Sequence, residues 1–242
     1  MVRGEAWWKE GGTWVRGRPE DYFSPAGKVL ALVGGGGKTS LMYCLAAGFQ
    51  RMGIDAAAMT TTRIWRPDDL CRTAKDCLSR WEAGRFALCG QDAPQAGKLM
   101  APEDHVYRWL LEHSGVLLVE ADGARGLPCK APADHEPVLP KECTCVLAVM
   151  GLDALGGPVG EVCFRPELVC ALLGCTPEHR LTPEDAAELL LSIRGARKDV
   201  GARKYCVVLN KCDDVERLRQ GKELAGLLES RGHAETVLTR LR

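Results

Sequence analysis

Two spacings of apolar residues alternate along this chain. A short apolar run at 28–33 (KVLALV) has the length and composition of a strand buried on both faces. Directly after it, Leu41, Leu45, Phe49 and Met52 recur at helical spacing, which predicts a helix over 38–52 closed by Gly53. The pattern then repeats. Strands are expected at 55–60, 85–89, 116–120, 144–150, 204–209 and 235–241, and helices at 67–83, 103–113, 167–173, 182–194 and 213–231. Val106, Trp109 and Leu110 give the helix at 103–113 its inner face. Thr182, Pro183, Glu184 and Asp185 form a helix start, with the threonine as cap, the proline at the first turn and the acids on the dipole. Gly221 and Gly226 weaken the helix at 213–231, and the stretches 90–102 and 151–160 read as loops. Strands alternating with helices predict an α/β fold with a mostly parallel sheet covered on both faces, as a single domain over 25–242. Residues 1–24 stand apart: Trp7, Trp8 and Trp14 lie among Gly, Arg and Glu with no clear period, as an extension that packs onto the body or is partly mobile.

Composition narrows the function classes. The 242 residues carry 32 Lys and Arg against 32 Asp and Glu, for a formal net charge of zero. That balance argues against non-specific nucleic-acid binding, a polybasic membrane patch and an acidic solvating tail. No apolar stretch approaches the roughly 20 residues of a membrane span, and the first dozen lack the apolar core of a cleaved signal peptide. The 12 cysteines are too sparse for a disulfide scaffold and contain no C-x-x-C pair, so they read as reduced thiols of a cytoplasmic protein.

The segment between the first strand and its helix carries the chemistry. Gly34, Gly35, Gly36, Gly37, Lys38, Thr39 and Ser40 follow Val33. Glycines let backbone amides point into one concavity, and the helix N-terminus adds unpaired donors and partial positive charge. Lys38 can reach the β- and γ-phosphates of a nucleotide, and the Thr39 hydroxyl can bind Mg²⁺. This is P-loop logic and predicts a three-layer P-loop NTPase-like fold. The full G-x-x-x-x-G-K-[ST] pattern would need a glycine where Leu32 stands, so the loop is a shortened GGGGKT variant.

The strand at 116–120 ends in Glu120, with Asp122 two residues on. An acid at that strand end lies beside the phosphate loop in doubly wound sheets and can hold Mg²⁺ or orient a water. Both Glu120 and Asp122 remain metal candidates, and Asp122 is also a catalytic one. Arg125 and Lys130 follow and can neutralise charge on a transferring phosphoryl group. Thr60, Thr61 and Thr62, at the end of another strand, offer a switch-like hydroxyl; Gly97-Lys98 suggests no mechanism.

Asn210-Lys211-Cys212-Asp213 lies between a strand and a helix and matches N-K-x-D. A carboxylate there accepts from guanine N1–H and its 2-amino group; adenine presents neither donor, which would leave Asp213 unpaired. Lys211 can lay its stem along the base, and Asn210 can tie loops together. GTP is therefore expected ahead of ATP.

Taken together, the runs VGGGGKTS (33–40), TTTR (60–63), VEADGARGLPCKAPADHEPVLP (119–140), GLDALG (151–156), RPE (165–167) and LNKCD (209–213) resemble the YqeC family. Its members are described as accessory proteins of selenium-dependent molybdenum hydroxylases, or selenium cofactor biosynthesis proteins. The resemblance spans nearly the whole chain beyond the N-terminal extension. One departure is Phe164, where the family pattern leads us to expect histidine. The resemblance implies a cytoplasmic P-loop protein that helps mature a molybdenum hydroxylase, with that enzyme or other selenium-cofactor maturation proteins as partners. Together with the site residues it gives Mg²⁺-dependent GTP (or ATP) binding and hydrolysis, with Lys38, Asp122 and Arg125 as catalytic groups. Two rivals are a kinase or ligase acting on a cofactor precursor held by Arg125, Lys130, Glu136 and Arg165, and a non-hydrolysing chaperone-like module.

Overall fold

The computed structural model describes residues 4–23, 28–65 and 69–241. Along the chain, β1 (Gly4–Glu10) and β2 (Thr13–Gly17) precede α1 (Pro19–Phe23), β3 (Val29–Gly34), α2 (Lys38–Arg51), β4 (Ala56–Thr60) and β5 (Ile64–Trp65). Then come α3 (Ala74–Glu82), β6 (Ala87–Leu88), β7 (Gln91–Asp92), β8 (Lys98–Met100), α4 (Asp104–His113), β9 (Val116–Glu120) and β10 (Cys129–Lys130). The chain closes through β11 (Cys145–Gly151), α5 (Val159–Val162), β12 (Cys163–Phe164), α6 (Pro166–Leu173), α7 (Pro183–Leu191), β13 (Lys204–Asn210), α8 (Val215–Ser230) and β14 (Thr236–Leu241).

Nine strands form one sheet in the order β2-β1-β14-β13-β11-β3-β9-β4-β6. Every pairing from β14 to β6 is parallel; the N-terminal hairpin alone runs antiparallel to its neighbours. The reason lies in the side chains of β3. Val29, Ala31 and Val33 feed an apolar core on one face of the sheet, and Leu30 and Leu32 feed a second core on the other. A strand buried on both faces needs helices on both. α1 and α2 supply one layer, and α3, α4, α7 and α8 the other. This is a single α/β domain with three layers and a P-loop-like order.

Most expected elements are present, and the differences have local causes. The helix expected over 67–83 begins only at Ala74, where Thr73 and Asp76 form a capping box; before it, Cys71 bridges to Cys89 beside β6. Residues 66–68 lie outside the described residues. The loop expected over 90–102 holds β7 and β8, which join β5 in a separate three-stranded sheet. Residues 4–17, expected to pack onto the body or be partly mobile, form a hairpin that joins the sheet beside β14. Gly11 and Gly12, with φ 56 and 83, make its two-residue turn, and Trp7 and Trp8 are buried on opposite faces of the sheet. Among the described residues no helix is long and apolar enough to cross a membrane.

Candidate functional site

The glycine turn leaves β3 at the middle of the sheet, and the backbones of 127–129 and 149–151 crowd it. A Cβ at Gly34 would meet the Val149 carbonyl oxygen at 2.2 Å, and one at Gly36 would meet Gly151 N at 2.1 Å. Gly34, Gly36 and Gly37 also have φ of 95, 75 and 113, which L side chains rarely adopt. The turn's amides are not all free to form a nest. Gly34 N–H donates to Asp122 Oδ2 at 2.9 Å, Gly35 N–H to Val149 O at 2.9 Å and Gly36 N–H to Leu127 O at 3.0 Å. The donors left for a ligand are those of the first turn of α2, from Gly37 to Ser40. Gly36, Gly37, Lys38, Thr39 and Ser40 line a cavity of about 510 Å³, whereas Gly34 and Gly35 stand behind it.

Glu120 and Asp122 part ways. Glu120 lines the cavity and accepts from Thr39 Oγ1 at 2.6 Å. Burial pushes its carboxyl above the usual carboxylate range; Lys38 and the Thr39 hydroxyl oppose the rise, and Asp122 adds to it. Asp122 is buried behind the loop, 3.2 Å from Lys38 Nζ and 3.1 Å from Lys130 Nζ. The pair Thr39 and Glu120 is a hard-oxygen set facing the cavity, which fits Mg²⁺: that ion takes one or two protein oxygens and fills its octahedron from water and phosphate. Lys38 Nζ now donates to Gly34 O at 2.5 Å.

Behind the cavity a chain of buried charge continues. Lys130 Nζ lies 2.5 Å from Glu136 Oε2 and donates to Gly123 O at 2.7 Å, and Arg165 Nη1 reaches the same Glu136 oxygen at 2.5 Å. The acceptor pocket anticipated from Arg125, Lys130, Glu136 and Arg165 therefore does not form: three of these four neutralise one another, and only Arg125 lines the cavity. Phe164, at the position where histidine was expected, packs its ring under Arg125, Arg165 and Lys130. Burial alone would raise the Glu136 carboxyl, but hydrogen bonds from Arg165 and Lys130 hold it at about 2. Because the folded value lies below the ordinary 4.5, the stabilisation is complete above that value and is lost as pH falls toward about 2. Glu136→Gln is expected to lower stability at pH 7 and to flatten the acid limb of a urea-denaturation pH series. Parallel limbs in variant and parent would contradict this.

On the other flank, Asn210 Nδ2 donates to Gly36 O at 2.7 Å and its Oδ1 accepts from Thr239 Oγ1 at 2.8 Å, so Asn210 braces the glycine turn. Lys211, at φ 66, lines the cavity and pairs with Asp153 Oδ2 at 2.6 Å. Asp213 is exposed outside the cavity lining, near Arg217 at 3.4 Å. The cap of α8 is Asp214, so Asp213 is not consumed as a helix cap. The threonines after β4 serve the loop itself: Thr60 Oγ1 donates to Glu120 O at 2.9 Å and Thr61 Oγ1 to Val138 O at 2.8 Å. Arg63, which follows them, does line the cavity. Trp65 and Lys98 line it too, and sequence reasoning missed both as site residues. Of the four non-glycine residues with positive φ among those described, Arg125, Arg165 and Lys211 lie at this site, where such strain concentrates.

A family model described as YqeC protein matches residues 30–167. The protein "Uncharacterized protein YqeC" of Escherichia coli (strain K12) is 34% identical over 211 residues, covering 77% of this chain and 78% of its own length. The chain belongs to the YqeC family. The YqeC match takes in the glycine turn, the acidic strand end and the buried Lys130–Glu136–Arg165 cluster, and leaves out the N-K-x-D segment, which the relative's longer alignment does not by itself place. No solved structure matches this YqeC chain.

Proposed function

We propose that the protein binds a nucleoside triphosphate with Mg²⁺ at the start of α2, prefers GTP to ATP, and hydrolyses it as an accessory factor in the maturation of a selenium-dependent molybdenum hydroxylase. The observation that carries the nucleotide reading is the convergence of Lys38, the first-turn amides and the Thr39–Glu120 pair on one cavity. Lys38 would leave Gly34 O for the phosphates. Thr39 and Glu120 would hold the ion, which neutralises phosphate charge when bound. Arg125, which lines the cavity, would meet charge on the transferring group. Asn210 would keep the turn in shape, with Lys211 and Asp213 reading the base. The accessory role rests on the family resemblance.

The test is phosphate release and equilibrium binding with GTP and ATP, with and without Mg²⁺. Glu120→Gln should abolish Mg²⁺-dependent release. It should also stabilise the protein at pH 7. Because the folded pKa of Glu120 is raised, ionising it opposes folding as pH climbs from 4.5 through the folded value. Asp213→Ala should lower the GTP-to-ATP preference about tenfold or more. Equal affinities for the two nucleotides in the parent protein would remove the guanine reading. A second reading, phosphoryl transfer to an acceptor, gains support from Arg63 and Lys98, which line the cavity without a carboxylate partner among the described residues.

A further inference from the structure

The cavity at α2 is longer than its nucleotide machinery. Lys211 follows β13, on one side of β3 in the sheet order; Trp65 ends β5, which follows β4 on the other side. A triphosphate seated on the first turn of α2 directs its base toward one of these sides. The side beyond Thr39 and Glu120 is then left to something else.

That side has a distinct chemistry. Trp65 is 73% exposed, an unusual state for an indole beside a cavity. Lys98 Nζ lies 3.5 Å from its ring centroid, so an ammonium covers one face while most of the residue stays exposed. Arg63, Lys98 and Arg125 all line the cavity, and none has a carboxylate partner among the described residues. Elsewhere cations beside the site are matched: Lys130 and Arg165 by Glu136, and Lys211 by Asp153. An exposed indole with the cations of Lys98 and Arg63 fits a planar ring bearing an anionic group.

We infer that this end of the cavity is a second ligand site, for a compound with a planar aromatic ring and a phosphate or similar anion, stacked on Trp65 and held by Arg63 and Lys98. The inference builds on the nucleotide reading, because it assigns the opposite side of the cavity to the base. It gives that reading a second ligand class.

The experiment is a fluorescence titration of the full chain with flavin mononucleotide, pyridoxal 5′-phosphate and 2-naphthyl phosphate, each with and without saturating GTP and Mg²⁺. At least one probe should bind in the presence of nucleotide, with ring fluorescence quenched by the indole. Trp65→Leu should weaken that probe about tenfold or more, as loss of one stacking partner does, and Trp65→Phe should restore most of it. Arg63→Gln should weaken it as well, and GTP affinity should stay unchanged in the Trp65 variants. The inference is overturned if no probe shows Trp65-dependent binding. It is also overturned if GTP competes with the probes and Trp65→Leu weakens GTP equally, because the indole would then serve the nucleotide's own base. Trp65-dependent probe binding without any nucleotide binding would support this site and refute the nucleotide reading separately.

Discussion

Lys38→Ala should lower affinity for GTP with Mg²⁺ about a hundredfold and abolish phosphate release, with little change in fold. The ammonium is 4% exposed and stands at the first turn of the helix that closes the glycine loop. Hydrogen bonds from a charged donor contribute about 1.5–3 kcal/mol, and a site this dry favours the upper end, which is near two decades of affinity. The fold should survive because Asp122, the carboxylate nearest Lys38, keeps Lys130 at 3.1 Å and the Gly34 amide at 2.9 Å. Calorimetric titration reads the first effect, and a thermal melt reads the second. An unchanged nucleotide affinity would refute the assignment of the phosphate site. A collapsed melt would show instead that Lys38 is chiefly a structural counter-ion.

The largest stability effect should come from Lys130. Its side chain is 1% exposed and joins Asp122 to Glu136 while donating to Gly123 O. Lys130→Met keeps the volume but leaves two buried carboxylates short of a cation, a change that costs about 3–5 kcal/mol. Urea denaturation should show the unfolding free energy fall by that amount, read as a lower midpoint at unchanged slope. Pairing the change with Glu136→Gln should recover part of it, since one of the orphaned charges is then gone. A loss below about 1 kcal/mol would mean that water or Lys38 compensates, and the cluster would lose its role as the brace behind the loop.

The architecture was readable in the sequence wherever burial on both faces forces a continuous apolar run. VLLVE (116–120) and VLALV (29–33) can be little else than central strands, and both are fully buried. Legibility faded at the edges. Residues 4–17 mix tryptophan with charge because their strands lie at the margin, where Arg16 and Arg240 pack over Trp7. The Gly-Gly pair at 11 and 12 was the available signal, as a two-residue hairpin turn. The three-stranded sheet of β5, β7 and β8 has strands of two or three residues, too short to show any period. At the site, spacing identified which residue types converge but not how they divide the work. Glu120 and Asp122 look equivalent in sequence. In space, the pleat and the loop send one to Thr39 and the other to Lys38 and Lys130. The stack of Lys98 on Trp65 joins two segments that no local pattern connects.

The pairing of β1 with β14 has a consequence for biogenesis. Gly4 stands opposite Leu241, so β1 leaves the ribosome long before the strand it pairs with. Until then the N-terminal hairpin has no edge to join, and Trp7 and Trp8 lack their final burial. Until β14 is made, the Trp7 and Trp8 indoles lack that cover, which is the kind of surface that holdase chaperones attend.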